Sequence, residues 1–276
     1  MKWWYRVNFI KRSSKSFRSV WSLCIFTTME PYVKHFIDAS CGTLEFGNPA
    51  GNSLPTQLLN DLLFQFQKLK KHPEVKTIII QSAGNRAFCG GASFSEMKSL
   101  KTAEEATAFF MGFARIINAI RTSDKFVVVR VQGKVVGGGV GLVAACDYAI
   151  AQESAQVKLS ELSIGLGPYV IEPAVSRKIG STAFAHLSLE AESWKSALWA
   201  EEKGLYNKVV TTEEELNRQV KETAQRLSSY APEAIKNLRA LHWKNTDHWE
   251  TLLPNNAKIT AKLLLNEATQ IFLNSL

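Results

Sequence analysis

The clearest signal along the chain is an alternation between two hydrophobic periods. Leu58, Leu59, Leu62, Leu63, Phe66 and Leu69 recur at helical spacing and predict a helix over 55–71, with Pro55 in its first turn and Pro73 just beyond it. A continuous β-branched run at 77–81 follows and reads as a strand buried on both faces. Ala106, Phe109, Phe110, Phe113, Ile116, Ile117 and Ile120 then predict a helix over 104–122. A second buried strand is expected at 126–131 and a further β-run at 148–151. Upstream, two β-prone pieces at 32–37 and 43–46 lead into the turn-forming stretch 47–52. Strands alternating with helices imply an α/β fold.

The last quarter reads as helix alone. Leu216, Val220, Ala224 and Leu227 mark a helix over 213–229, opened by a Thr212-x-x-Glu215 capping box. Pro232 starts another helical stretch. Ile259, Leu263, Leu264, Ala268, Ile271 and Phe272 place one apolar face on a helix over 257–276. Such a face needs a partner, either the core or another subunit. The expected organisation is a leader at 1–28, an α/β core at 29–212 and a helical region at 213–276.

Charge changes the picture at one end only. The net charge is +8, but Lys2, Arg6, Lys11, Arg12, Lys15 and Arg18 lie in an acid-free leader, which leaves +2 on the rest. The body is near neutral and its bases form no stripe along the chain, which argues against a nucleic-acid partner. The leader is basic, Ser-rich and aromatic. It reads as a transit-like segment or as sequence upstream of a start at Met29. A cytoplasmic location is expected, or a mitochondrial matrix one if the leader is a transit peptide. No stretch of eighteen apolar residues occurs, so no membrane span is expected. Cys24, Cys41, Cys89 and Cys146 are far apart, with neither zinc-ligand nor disulfide-framework spacing, and the five histidines show no ligand spacing. No metal site is expected.

Candidate chemistry lies in two glycine segments, Gly90-Gly91-Ala92 and Gly137-Gly138-Gly139, each after a predicted strand. The first runs into Ser93-Phe94-Ser95-Glu96, a capping-box pattern. The second runs into a short apolar helix near 140–145. Backbone N–H groups at such helix starts are free to face an anionic oxygen. Either segment alone reads more simply as a tight turn without a ligand. Two together at strand ends favour a site in which two donors converge on one oxygen, where each donor is worth about 3–4 kcal/mol of barrier. Gly139-x-Gly141-x-x-Ala144 also matches a dinucleotide fingerprint, but the helix after it is too short for that fold. Glu161 is the candidate carboxylate. A lone Glu in a loop is usually solvated.

The run Arg86-Ala87-Phe88-Cys89-Gly90-Gly91-Ala92-Ser93-Phe94-Ser95-Glu96-Met97 resembles the first signature of the crotonase, or enoyl-CoA hydratase/isomerase, family. Gly133-Lys134-Val135-Val136-Gly137-Gly138-Gly139 through Cys146-Asp147 resembles its second, and Pro49 to Leu54 its early turn. The resemblance implies a spiral of ββα units with a C-terminal helical oligomerisation region, assembled as trimers or hexamers. It implies an acyl-CoA thioester ligand, with coenzyme A as part of the substrate and no separate cofactor. It places the thioester oxygen on the N–H groups of Ala92 and Gly138, with Glu161 as the acid/base group. Gly90, Ser93, Phe94, Gly139, Gly141 and Tyr169 are the implied substrate contacts.

The departures are informative. Hydratases of the family carry a second glutamate where this chain has Gly141, so hydration would need Glu172 or Tyr169 as an auxiliary group. One carboxylate suffices for a Δ3–Δ2 double-bond shift. Both reactions stay open at this point. So do other crotonase-type reactions, such as acyl-CoA hydrolysis or decarboxylation, and a non-catalytic CoA-binding role.

Overall fold

The computed structural model describes residues 30–275, so the basic leader at 1–28 lies outside the described residues. Its frame is a six-stranded sheet of order β1-β2-β3-β5-β7-β10. Strands β1 (Tyr32–Asp38) and β2 (Cys41–Gly47) form an antiparallel hairpin. The other pairings in this sheet are parallel. Helix α1 (Thr56–Lys71) leads to β3 (Thr77–Ser82), with Pro55 at the cap rather than inside the first turn. Then come β4 (Ala87–Cys89), α2 (Phe94–Ser99), α3 (Ala103–Arg121) and β5 (Phe126–Val131).

Strands β3 and β5 are buried on both faces because alternate residues enter two different cores. Ile78, Ile80, Val127 and Val129 pack with α1 and α3 in the main core. Ile79, Val128 and Ile150 pack on the other side against Leu216, Val220 and Ala224. Those last three residues belong to α7 (Glu213–Ser228), the first helix of the C-terminal region. The chain reaches α7 through β6 (Lys134–Val136), α4 (Gly138–Ala145), β7 (Tyr148–Gln152), β8 (Gln156–Lys158), α5 (Glu172–Leu189, broken at Gly180), β9 (Lys195–Ser196), α6 (Ala197–Glu202) and β10 (Lys208–Val210).

A second sheet, of order β4-β6-β8-β9, was not legible in the hydrophobic pattern. Its strands have two or three residues each, too short to show a period. It corrects one expectation. The glycine segments leave β4 and β6 of this small sheet, not the long strands β3 and β5.

The helical region folds back on its own chain. Helix α8 (Pro232–His242) is tied down by Arg239, which is 1 % exposed. Arg239 Nε donates to both Asp147 carboxylate oxygens at 3.0 and 3.2 Å, and its guanidinium reaches the Ile120 and Ser123 carbonyls. Asp147 also accepts from the Val127 N–H at 2.7 Å, so one ion pair joins α8, α3 and two strands. Helix α9 (Trp249–Leu264) packs along α3. The expected single helix over 257–276 is two. A break at Leu265–Asn266 resets the register before α10 (Glu267–Ser275). Ile271 and Phe272 therefore stay exposed, as does Ile259 on the outer side of α9, and Ala257, Thr260, Ala261, Leu264, Thr269 and Leu273 form the buried face.

Bases dispersed along the chain gather in space. Lys70, Lys71, Lys76, Lys125 and Lys236 line one depression where β3 and β5 begin. Two of them have structural work there: Lys125 donates to the Leu69 and His72 carbonyls, and Lys70 to the Thr122 carbonyl, at the ends of α1 and α3. No helix among the described residues is long and apolar enough to cross a membrane.

Removing Arg239 leaves Asp147 buried without its counter-charge. Arg239→Ala is expected to cost about 3–5 kcal/mol of unfolding free energy, measured by urea denaturation. A loss below about 1 kcal/mol, the range of a surface pair, would contradict this role.

Candidate active site

The site begins with the turn between β2 and α1. Asn52, at φ +56°, accepts the Asn48 N–H and donates through its side-chain amide to the Ala83 and Ala87 carbonyls at 2.8 and 2.7 Å. This holds the turn against the first glycine segment. Gly90 N–H donates to Gly51, Leu54 N–H to Gly91, and Ser93 N–H to Leu54. Residues on either side of Ala92 are thus bonded to Leu54, which turns the Ala92 N–H the other way, toward a cavity that Ala92 lines.

The second segment arrives beside the first because β4 and β6 are adjacent parallel strands. The approach is close. A Cβ on Gly91 (φ +82°) would stand 2.9 Å from the Val136 carbonyl oxygen and 3.6 Å from the Gly138 nitrogen. Gly137 caps α4 at φ +52°, and its N–H donates to the Lys158 carbonyl at 3.0 Å. Gly138 is then the first residue of α4. Among the described residues, neither the Ala92 N–H nor the Gly138 N–H has a hydrogen-bond acceptor. Both residues line the same cavity.

Glu161 follows β8, the next strand of the small sheet. Its carbonyl accepts from Ile164 and Leu166 N–H groups, which fixes its backbone at a short 3-10 turn, Leu162–Ile164. Its carboxylate rests against Gly137: a Cβ there would lie 2.8 Å from Glu161 Oε1. Oε2 is buried with no partner among the described residues. Burial raises the carboxyl to about 7, and a hydrogen bond from its own backbone N–H offsets this only in part. The loop glutamate is therefore desolvated, contrary to the usual expectation for a loop.

The cavity encloses about 560 Å³ including its mouth. Ala92, Gly138 and Glu161 all line it. Met97, Phe110, Phe113, Val170 and Ile171 make apolar walls. Gly90 and Phe94 also line it.

Five of the residues singled out from the sequence do not line this cavity, each for a physical reason. Ser93 is buried as the cap of α2, accepting from the Glu96 N–H. The capping box is only half formed, because Glu96 turns its carboxylate to the Thr56 N–H and hydroxyl at the start of α1. Gly139 packs on Cys89, where a Cβ would come within 2.7 Å. Gly141 is covered by Ile171 and does not line the cavity. Tyr169 is 39 % exposed and its ring lies over Gly167. Glu172 sits in the first turn of α5, outside the cavity. Neither Tyr169 nor Glu172 lines this cavity.

Sequence reasoning missed Ile171 and Thr260. Thr260 comes from α9 and lines the cavity 99 positions after Glu161 in the chain. Its only signal was a polar residue on the buried stripe of a helix.

Residues 37–270 match the family model described as enoyl-CoA hydratase/isomerase. A short-chain-enoyl-CoA hydratase of Clostridium acetobutylicum is 31 % identical over 186 residues, covering 67 % of this chain and 70 % of that protein. The crystal structure of an enoyl-CoA hydratase from Bacillus halodurans superposes with TM-score 0.83 at 21 % identity, over 89 % of this chain and all of that one. One from Mycobacterium smegmatis does so with TM-score 0.74 at 26 % identity, over 79 % and 84 %.

The buried carboxyl makes a prediction that needs no ligand. Its folded value lies above its unfolded one, so it binds its proton more tightly in the folded state, and stability falls as pH rises through about 7. Glu161→Gln removes that penalty. The variant is expected to gain about 2–3 kcal/mol over the unaltered chain between pH 5 and pH 8.5, read by urea unfolding at each pH. A difference that does not change with pH would refute the desolvated carboxyl.

Proposed function

Because this chain belongs to the enoyl-CoA hydratase/isomerase family of enzymes, we propose that it works on an acyl-CoA thioester through an enolate, with Glu161 moving the proton. The thioester oxygen sits between the Ala92 and Gly138 N–H groups, and the acyl chain runs along the apolar walls. Coenzyme A enters as part of the substrate, and no separate cofactor is required.

One observation carries this reading. A carboxyl with an unpartnered oxygen and a value near 7 shares a cavity with two N–H groups that have no acceptor among the described residues. Each feature is costly or wasteful on its own, since buried polar groups are normally satisfied. Together they match a reaction in which negative charge passes from a carboxylate to a thioester oxygen. The base is ionised in part at neutral pH, and proton transfer is most efficient when its pKa is near the working pH. The two donors, fixed by the fold, stabilise the enolate without reorganising. The start of α4 adds the positive end of its dipole at Gly138.

We extend the proposal to assembly. Leu238, Leu241, Ile259 and Ile271 remain exposed on α8, α9 and α10. That outer face is the contact surface between copies, in a trimer or hexamer.

Glu161→Gln should fold and lose at least about 10²-fold in turnover of an enoyl-CoA, since a positioned base contributes that much or more. The base must be unprotonated, so kcat/KM of the unaltered enzyme should rise with pH through a midpoint near 7. Stopped assays across pH 5–9 would read both. A Gln variant as fast as the unaltered chain would end this assignment. Light scattering of the purified chain should report three or six chain masses, and a monomer at micromolar concentration would contradict the assembly.

A further inference from the structure

Enolate formation leaves open what happens next, and the cavity wall bears on that choice. Gly138 and Gly141 are three residues apart in α4 and so lie on the same face, about one helical turn or roughly 5 Å apart. An acyl chain with its oxygen on the Gly138 N–H carries its next carbons over a distance of that size. A water approaching those carbons along this face of α4 would have to stand beside Gly141.

That space is filled. A Cβ on Gly141 would lie 2.6 Å from Ile171 Cβ and 3.4 Å from Ile117 Cδ1. Ile171 is 3 % exposed and lines the cavity. Its backbone is fixed where α5 begins: the Val175 N–H donates to its carbonyl at 3.0 Å, and the next residue's N–H donates to Pro168 at 2.9 Å. The other polar side chains of the cavity are few. Thr260 donates its hydroxyl proton to the Asn256 carbonyl at 2.9 Å, and among the described residues Ser160 is the only other hydroxyl lining it. A held water needs two to four polar partners, and the wall next to Gly141 is hydrocarbon.

We propose that Ile171 is a specificity-determining residue: it keeps water from the acyl carbons, so that the lone carboxylate shifts a double bond instead of hydrating it. This rests on the enolate reading of the same site. With a 3-enoyl thioester, Glu161 takes a proton from carbon 2. The electron pair of that C–H bond joins a dienolate whose charge sits on the thioester oxygen. The same proton returns to carbon 4, and the double bond settles between carbons 2 and 3. Nothing else is consumed or released, and the carboxylate is regenerated.

The test uses the full chain with a short 3-enoyl-CoA and the corresponding 2-enoyl-CoA, with products resolved by liquid chromatography and mass spectrometry. The unaltered chain should interconvert the isomers and form little hydroxyacyl product. Ile171→Ala should raise the ratio of hydroxyacyl product to isomer by at least about tenfold, and Ile171→Val by less, as expected for opening a pocket by methyl-sized steps. The double variant Gly141→Glu with Ile171→Ala, which adds a second carboxylate in the space vacated, should hydrate faster than Ile171→Ala alone. The inference is overturned if the unaltered chain hydrates as fast as it isomerises. It is also overturned if both Ile171 variants keep isomerising with an unchanged ratio. If Glu161→Gln leaves both reactions intact, or the unaltered chain performs neither, the enolate reading itself has failed.

Discussion

The site depends on two backbone turns packed too closely to admit side chains between them. β4 and β6 run side by side, and both leave the small sheet at the same end. At Gly91 a methyl group would press on the Val136 carbonyl, and at Gly137 it would press on the Glu161 carboxylate. Both residues also hold positive φ, which L side chains rarely adopt. With these positions bare, Ala92 and Gly138 line a common cavity and Glu161 lies against the backbone. The proposed chemistry rests on that proximity. A carboxyl pressed against backbone and hydrocarbon loses water, and its value rises toward neutrality.

The helical region has a part in this arrangement beyond covering apolar surface. α7 closes one face of the large sheet, and α9 packs along α3, the helix that carries Phe110 and Phe113. Phe113 in turn lies over Gly138, with its ring Cζ 2.6 Å from where a Cβ would be. α9 also supplies Thr260 to the cavity wall, and Thr269 of α10 donates to the Gly165 carbonyl beside the 3-10 turn that fixes Glu161. The pair Arg239–Asp147 anchors α8 between α3 and the sheet. The shape of the site thus draws on the helical region as well, although the groups proposed to react come from residues 92–161.

The parts of this fold legible in the sequence are those with enough length to show a period. The strands at 77–81 and 126–131 and the helices at 55–71, 104–122 and 213–229 stand within one or two residues of their expected limits. The small sheet was invisible for the opposite reason, and with it the cause of the convergence of the glycine segments. At 257–276 a two-residue break rotated the helix face, which periodicity cannot foresee. In the site, local grammar brought out the glycine segments but could not separate a glycine that faces the cavity from one that packs. Gly138 and Gly139 are neighbours in one motif, yet one lines the cavity and the other sits on Cys89. Ile171 carried no signal at all, since its importance comes from meeting Gly141 thirty positions away.

In the proposed reaction Glu161 and the two N–H groups create an enolate, whatever step comes next. A saturated acyl-CoA isolates that step, because it has no double bond to shift or hydrate. Incubation in D₂O, followed by mass spectrometry of the recovered thioester, should show deuterium entering carbon 2 with the unaltered chain and not with Glu161→Gln. Carbon 2 without deuterium in the presence of active enzyme, or exchange that persists in the Gln variant, would contradict the account.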